Sequence, residues 1–89
     1  MTDLIRMPAR EIVHRLKARE INPLDVIDAA IARIREVDGE INALPTLCEA
    51  RARAAAEAIM ADTTTAKAHP GWLAGLPIAV KDLSDVKGV

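Results

Sequence analysis

The sequence predicts an α/β chain that is mostly helical, with about three helices and one or two short strands that belong to a larger mixed sheet. Three observations lead there. Residues 8–19 and 22–37 repeat apolar side chains at spacings of three and four, as a helix with one buried stripe requires. Residues 47–61 are rich in alanine, the strongest helix former. Leu76-Pro-Ile-Ala-Val80 is a short apolar run between Gly75 and Lys81-Asp82, the pattern of a strand buried on both faces.

The first helix is predicted from Pro8, a residue suited to a first helical position, to Lys17 or Arg19, with Ile12, Val13 and Leu16 on its apolar face. Asn22-Pro23 predicts a second start. Asparagine accepts from the free amides of a first turn, proline fits just inside, and Asp25 adds favourable negative charge there. This helix is expected to reach Val37, with Asp38-Gly39 as its stop. Leu24, Ile27, Ile31 and Ile34 form its stripe, widened by Val26, Ala30 and Val37. The short turn between the two helices predicts an antiparallel hairpin over 8–37.

A strand–helix–strand unit is expected over 42–82. Ile41 to Leu47 suggests a short extended segment, but Pro45 cannot donate to a central ladder, so this strand is at an edge, shortened or lost. In the alanine-rich helix, to Ala61, the small face of Ala50, Ala54, Ala58 and Ala61 permits close approach to a sheet. Residues 62–71 read as a surface loop. A strand, helix and strand in this order make a right-handed crossover with parallel strands. Two strands cannot bury themselves, so the 89 residues are expected to be part of a single larger domain.

Composition narrows the function classes. Half the residues are hydrophobic (51%) and 28% are charged, which excludes a disordered chain, and the net charge of −1 argues against nucleic-acid binding. Trp72 is the only aromatic residue, so the core must be aliphatic. No apolar run nears the ~18 residues of a membrane span, and residues 1–10 lack a signal-peptide core, which predicts a cytoplasmic location. The single Cys48 is read as a small buried hydrophobe. With only two distant histidines beside it there is no zinc spacing, and no cofactor is expected.

Lys81 is the candidate site residue. A lysine at the end of a buried strand sits where α/β proteins keep their chemistry. On spacing alone, the simpler reading is a solvated lysine that discourages edge pairing. The surrounding residues decide otherwise. Gly75, Leu76, Pro77, Ile78, Ala79, Val80, Lys81, Asp82, Asp85, Val86 and Gly88 closely match the pattern Gly-Leu-Pro-[Ile/Val]-Ala-Val-Lys-Asp-x-x-Asp-Val-x-Gly. The segment resembles the lysine motif of the amidase signature family, and the order of elements upstream of it is similar as well.

The resemblance implies the N-terminal portion of an enzyme that hydrolyses carboxamide bonds through a Ser-Ser-Lys triad, with Lys81 as the base. The two serines belong to a glycine- and serine-rich segment well downstream of the motif in that family, so the isolated chain is expected to be inactive. Its expected partner is a small-molecule amide substrate in the full-length enzyme. Asp82 and Asp85 would shape the turn after the strand, without catalytic roles, and Gly88 would form the motif's turn. Ser84 lacks the tight turn that presents a nucleophile and reads as a polar turn residue. His14 and His69 read as surface residues, and Trp72 as packing its loop against the body. Two alternatives stay open: the glutaminase-like subunit of a tRNA-dependent amidotransferase, and a non-catalytic helical module that uses the stripe of 22–37 to bind a partner or form a homo-oligomer.

Overall fold

A computed structural model of the chain describes residues 4–61, 69–81 and 83–89. It contains a 3₁₀ turn, Leu4–Arg6, followed by three helices: α1 (Ala9–Lys17), α2 (Pro23–Ile41) and α3 (Glu49–Ala61). Residues 62–68 of the expected 62–71 loop, and Asp82, lie outside the described residues.

Helix α1 begins one residue later than expected. Pro8 is its N-cap, in extended conformation, and the Pro8 carbonyl accepts from Glu11 N at 3.0 Å and Ile12 N at 3.1 Å. Its end is a Schellman motif: Glu20 N donates to Arg15 O and Arg19 N to Leu16 O. The residue that must turn left-handed is Arg19, at φ 60°, where glycine is the usual occupant. Because a side chain there opposes the left-handed conformation, Arg19→Gly is expected to stabilise the chain by about 1 kcal/mol, read as a raised midpoint in urea.

Helix α2 starts where the sequence predicts. The Asn22 side chain accepts from Asp25 N at 2.9 Å, Asp25 Oδ2 accepts from Asn22 N at 3.1 Å, and Pro23 occupies the first turn. This reciprocal box satisfies two amides that would otherwise be orphaned.

The far end of α2 departs from expectation. Asp38-Gly39 does not stop the helix, which continues to Ile41 and closes on Asn42 in left-handed conformation (φ 55°). Asp38 instead works one turn further on, where its carboxylate accepts from Ala43 N at 2.8 Å and from Leu44 N at 3.3 Å. These two bonds also explain why no strand forms at 42–47. Two successive donors are turned back onto α2, and Pro45 has none, so there is little left for a ladder. Cys48, expected to be buried, is exposed. It sits just before α3, and its carbonyl accepts from Ala52 N at 2.9 Å to begin that helix.

Packing centres on α2, which lies along α3 and against the 3₁₀ turn, while Ile12 and Leu16 of α1 meet Val26 of α2 in the buried cluster. Leu4, Ile12, Leu16, Val26 and Ala74 form the buried cluster, with Met7, Ile21 and Trp72 packed against it. Trp72 thus fastens its loop to the body, as expected. Val26 and Ile27 are the buried part of the α2 stripe, while Ile31 and Ile34 are half-buried. Arg35 on α2 pairs with Glu49 on α3 at 3.1 Å, and Arg53 on α3 pairs with Asp28 on α2. The expected small face of α3, Ala50, Ala54, Ala58 and Ala61, is exposed; Ala56 is its buried residue.

Among the described residues there is no β-strand. The run 76–80 has no ladder partner: Leu76 packs on the buried cluster, but no described segment pairs its backbone with 77–80. The radius of gyration, 13.6 Å, exceeds the ~12 Å of a compact domain of this length. This looseness agrees with apolar surface left uncovered at the C-terminal end.

Candidate functional site

The lysine motif begins at a tight turn. Leu76 N donates to Leu73 O at 3.1 Å, and both central residues are left-handed, Ala74 at φ 58° and Gly75 at φ 98°. An alanine in this conformation is strained by about 1 kcal/mol. Ala74 is nevertheless buried in the core cluster, so its methyl group helps hold the turn in place. Gly75 has a second constraint. A Cβ at this position would lie 2.7 Å from Pro23 Cβ and 2.8 Å from Pro23 Cγ, so the motif's first glycine lets the backbone press against the start of α2.

Just upstream, His69 and Gly71 shape the approach. Trp72 N donates to His69 O at 3.0 Å, and Gly71 N donates to His69 Nδ1 at 2.9 Å. His69 is exposed, as expected, yet its ring holds the Pro70-Gly71 turn that delivers Trp72 to the core.

From Leu76 the chain runs out in extended form to Lys81. The segment expected to be buried on both faces is open to solvent beyond its half-buried first two residues: Ile78 is 72% exposed and Val80 54%, and past the lysine Leu83 is 85% exposed. Lys81 is exposed too. It is followed by a turn in which Ser84 N donates to Lys81 O at 3.1 Å, which places Ser84 as a turn residue. Asp85 is exposed and receives no hydrogen bond from the described residues. A last turn, with Val89 N donating to Val86 O at 3.1 Å, has Gly88 at φ 85°, where only glycine sits without strain.

The structure adds a residue that sequence reasoning did not single out. Arg51, on the outer side of α3, donates through Nη1 to the carbonyl of Lys87 and so ties the end of the motif to the helix. No periodicity could have revealed it, since the partners are 36 residues apart. An open cleft of about 300 Å³ lies between α1, α3 and Trp72, but Lys81 does not line it. Among the described residues no group of three or more His, Cys, Asp or Glu is placed to hold a metal, and no helix is long and apolar enough to cross a membrane.

What these residues make together is a helical platform carrying an exposed apolar segment that ends in a single lysine. Comparison with known proteins assigns it. The family model described as Amidase matches residues 25–89, which include all but the first two residues of α2, the whole of α3 and the whole lysine motif, and the chain belongs to that family. It is 39% identical, over its full length, to a protein named Amidase from Pseudomonas putida, covering 19% of that protein. It is 41% identical to a Glutamyl-tRNA(Gln) amidotransferase subunit of Nocardia farcinica, with 93% of this chain and 17% of the relative aligned. The same subunit from Cutibacterium acnes is 42% identical over all of this chain and 18% of its own length. The chain therefore spans about a fifth of the length of the curated relatives it matches. No solved structure matches it.

Proposed function

We propose that this chain is the N-terminal portion of an amidase domain and that Lys81 is the base of its Ser-Ser-Lys machinery. The observation that carries the reading is the placement of Lys81. It ends an apolar run that is anchored at Leu76 but whose last three residues, Ile78 to Val80, are exposed and have no backbone hydrogen bond among the described residues, as the strand of a larger sheet does before its neighbours are added. Chain packed over Ile78 and Val80 would also withdraw water from Lys81, and a lysine serves as a base only when its amine is held neutral.

In that setting the Lys81 amine takes a proton, through a bridging serine, from the nucleophilic serine. That serine's oxygen bonds to the carboxamide carbon while backbone amides hold the oxyanion. The C–N bond then breaks, the leaving amine carries a proton away, and water frees the acyl group. These 89 residues hold a single serine, Ser84, so a triad with two serines cannot be assembled from them. We expect the isolated chain to be inactive. The substrate of the whole enzyme would be a small-molecule amide and its location cytoplasmic, with no nucleic acid bound directly by this segment.

Relatives of both kinds match at similar identity, so the glutaminase-like subunit of a tRNA-dependent amidotransferase is the second reading. Hydrolysis of glutamine that requires Glu-tRNA(Gln) would favour it over a free amidase. The helical-module alternative draws less support, because α2 spends much of its stripe on α3 and the 3₁₀ turn, and the most exposed apolar residues lie around Lys81 instead.

The test joins mass to activity. The intact mass of the native protein, measured from its source, is expected to exceed 9.6 kDa severalfold. That longer protein should hydrolyse amides, and Lys81→Ala should lower its kcat by about 10³-fold or more. Amide hydrolysis by the bare 89-residue chain, abolished in Lys81→Ala, would overturn the expected inactivity. Undiminished activity of the longer protein after that substitution would remove Lys81 from the chemistry.

A further inference from the structure

The two glycines of the lysine motif face helices from opposite ends of the segment. Gly75 is pressed onto Pro23 at the start of α2, at a spacing no Cβ would tolerate. Gly88 turns beneath Arg51 of α3: a Cβ there would lie 3.4 Å from Arg51 Nη1, and the same nitrogen donates to the Lys87 carbonyl. Between these points every described residue from Ile78 to Asp85 is exposed.

We propose that the lysine motif is a strap fastened at both glycine turns, and that Arg51 is the positioning residue that holds its far end and thereby sets where Lys81 stands. Its bearing on catalysis rests on the reading of Lys81 as a base; the fastening itself does not.

Chain length makes the second fastening matter. Lys81 lies six residues from Gly75 and six from Lys87, and each half can reach about 20 Å when extended. With the near anchor alone, which extends through the half-buried Leu76 and Pro77, the Lys81 Cα is free to sweep a region of roughly 14 Å radius. A second anchor confines it to the overlap of two such regions and removes chain entropy before any further structure packs on it. Arginine suits this role because its planar fork gives directional N–H donors to a carbonyl, and its Nη1 lies beside Gly88, whose left-handed backbone sets the turn that presents that carbonyl.

Nitroxide labels on Ala58→Cys of α3 and Lys81→Cys, in a Cys48→Ser background, would report the strap directly as a distribution of spin–spin distances. Ala58 and Cys48 are exposed, so the labels and the background change leave the core alone. Arg51→Ala is expected to broaden the distribution at least twofold, with helical circular dichroism and the unfolding midpoint unchanged. Arg51→Lys, which keeps a donor and most of the stem, is expected to recover part of the lost order. A width unaffected by Arg51→Ala overturns the proposal, and so does a broadening matched by a fall in the midpoint, which would mean general loosening. An activity assay that removed Lys81 from the chemistry would leave this result standing, so the two readings fail separately.

Discussion

Gly75→Ala is expected to destabilise the chain by about 3 kcal/mol, the largest effect of any single methyl group added to it. Two independent causes combine. At φ 98° an alanine is strained by roughly 1 kcal/mol or more. Its Cβ would also stand 2.7 Å from a Pro23 ring atom, and overpacking of this kind costs about 1–3 kcal/mol. The proline ring cannot swing aside as a flexible side chain would, because it belongs to the first turn of α2 and the backbone is locked there by the Asn22–Asp25 box. Relief must come from the 73–76 turn, which would pull Ala74 out of the core and loosen Trp72. Urea unfolding followed by circular dichroism measures the loss, and a red shift of Trp72 emission before unfolding locates it. Gly39→Ala is the matched control. There the space around the glycine is empty and the residue is helical, so the same methyl group is expected to stabilise by about 0.8 kcal/mol. Equal effects at the two glycines would show that the Pro23 contact is not made in solution.

Leu16→Ala is expected to cost about 3 kcal/mol, from lost transfer energy and the cavity left behind. Leu16 is the last buried residue of α1 and shares its cluster with Leu4, Ile12, Val26 and Ala74. Those five residues come from the 3₁₀ turn, α1, α2 and the 73–76 turn, so one truncation weakens the junction of all four. Among the described residues there is no large fully buried side chain to compensate, and a domain of this size holds only about 5 kcal/mol in all. The variant should therefore populate unfolded chain at 25 °C, seen as lost helical signal without denaturant. A loss below about 1 kcal/mol would mean that α1 does not pack on this cluster.

Helix starts are legible in the sequence because they depend on near neighbours. Asn22, Pro23 and Asp25 satisfy the first turn of α2 among themselves, and the expected start and the observed one coincide. Helix ends are less so. Asp38-Gly39 has the composition of a stop, but whether a helix ends there depends on what satisfies the next carbonyls and amides. Asn42 in left-handed form and the Asp38 carboxylate do so one turn later. Cys48 departs from expectation for a related reason: a small apolar residue is buried only if the fold turns it inward, and this one faces outward at the start of α3.

The candidate site divides in the same way. The lysine motif can be read residue by residue, and the family match confirms the resemblance on which that reading rests. Leu76 to Val80 are not buried on both faces as their apolar character suggests, because burial belongs to whatever packs above and below them. Pattern and composition were enough for the three helices, the α2 cap and the lysine motif, since propensity, capping and apolar periodicity act over a few residues. Only tertiary contacts decided that α2 lies along α3, that Gly75 rests on Pro23 and that Arg51 reaches Lys87. Those pairings join residues up to 52 positions apart, and at such separations a side chain's partner is set by three-dimensional packing rather than by its neighbours in the chain.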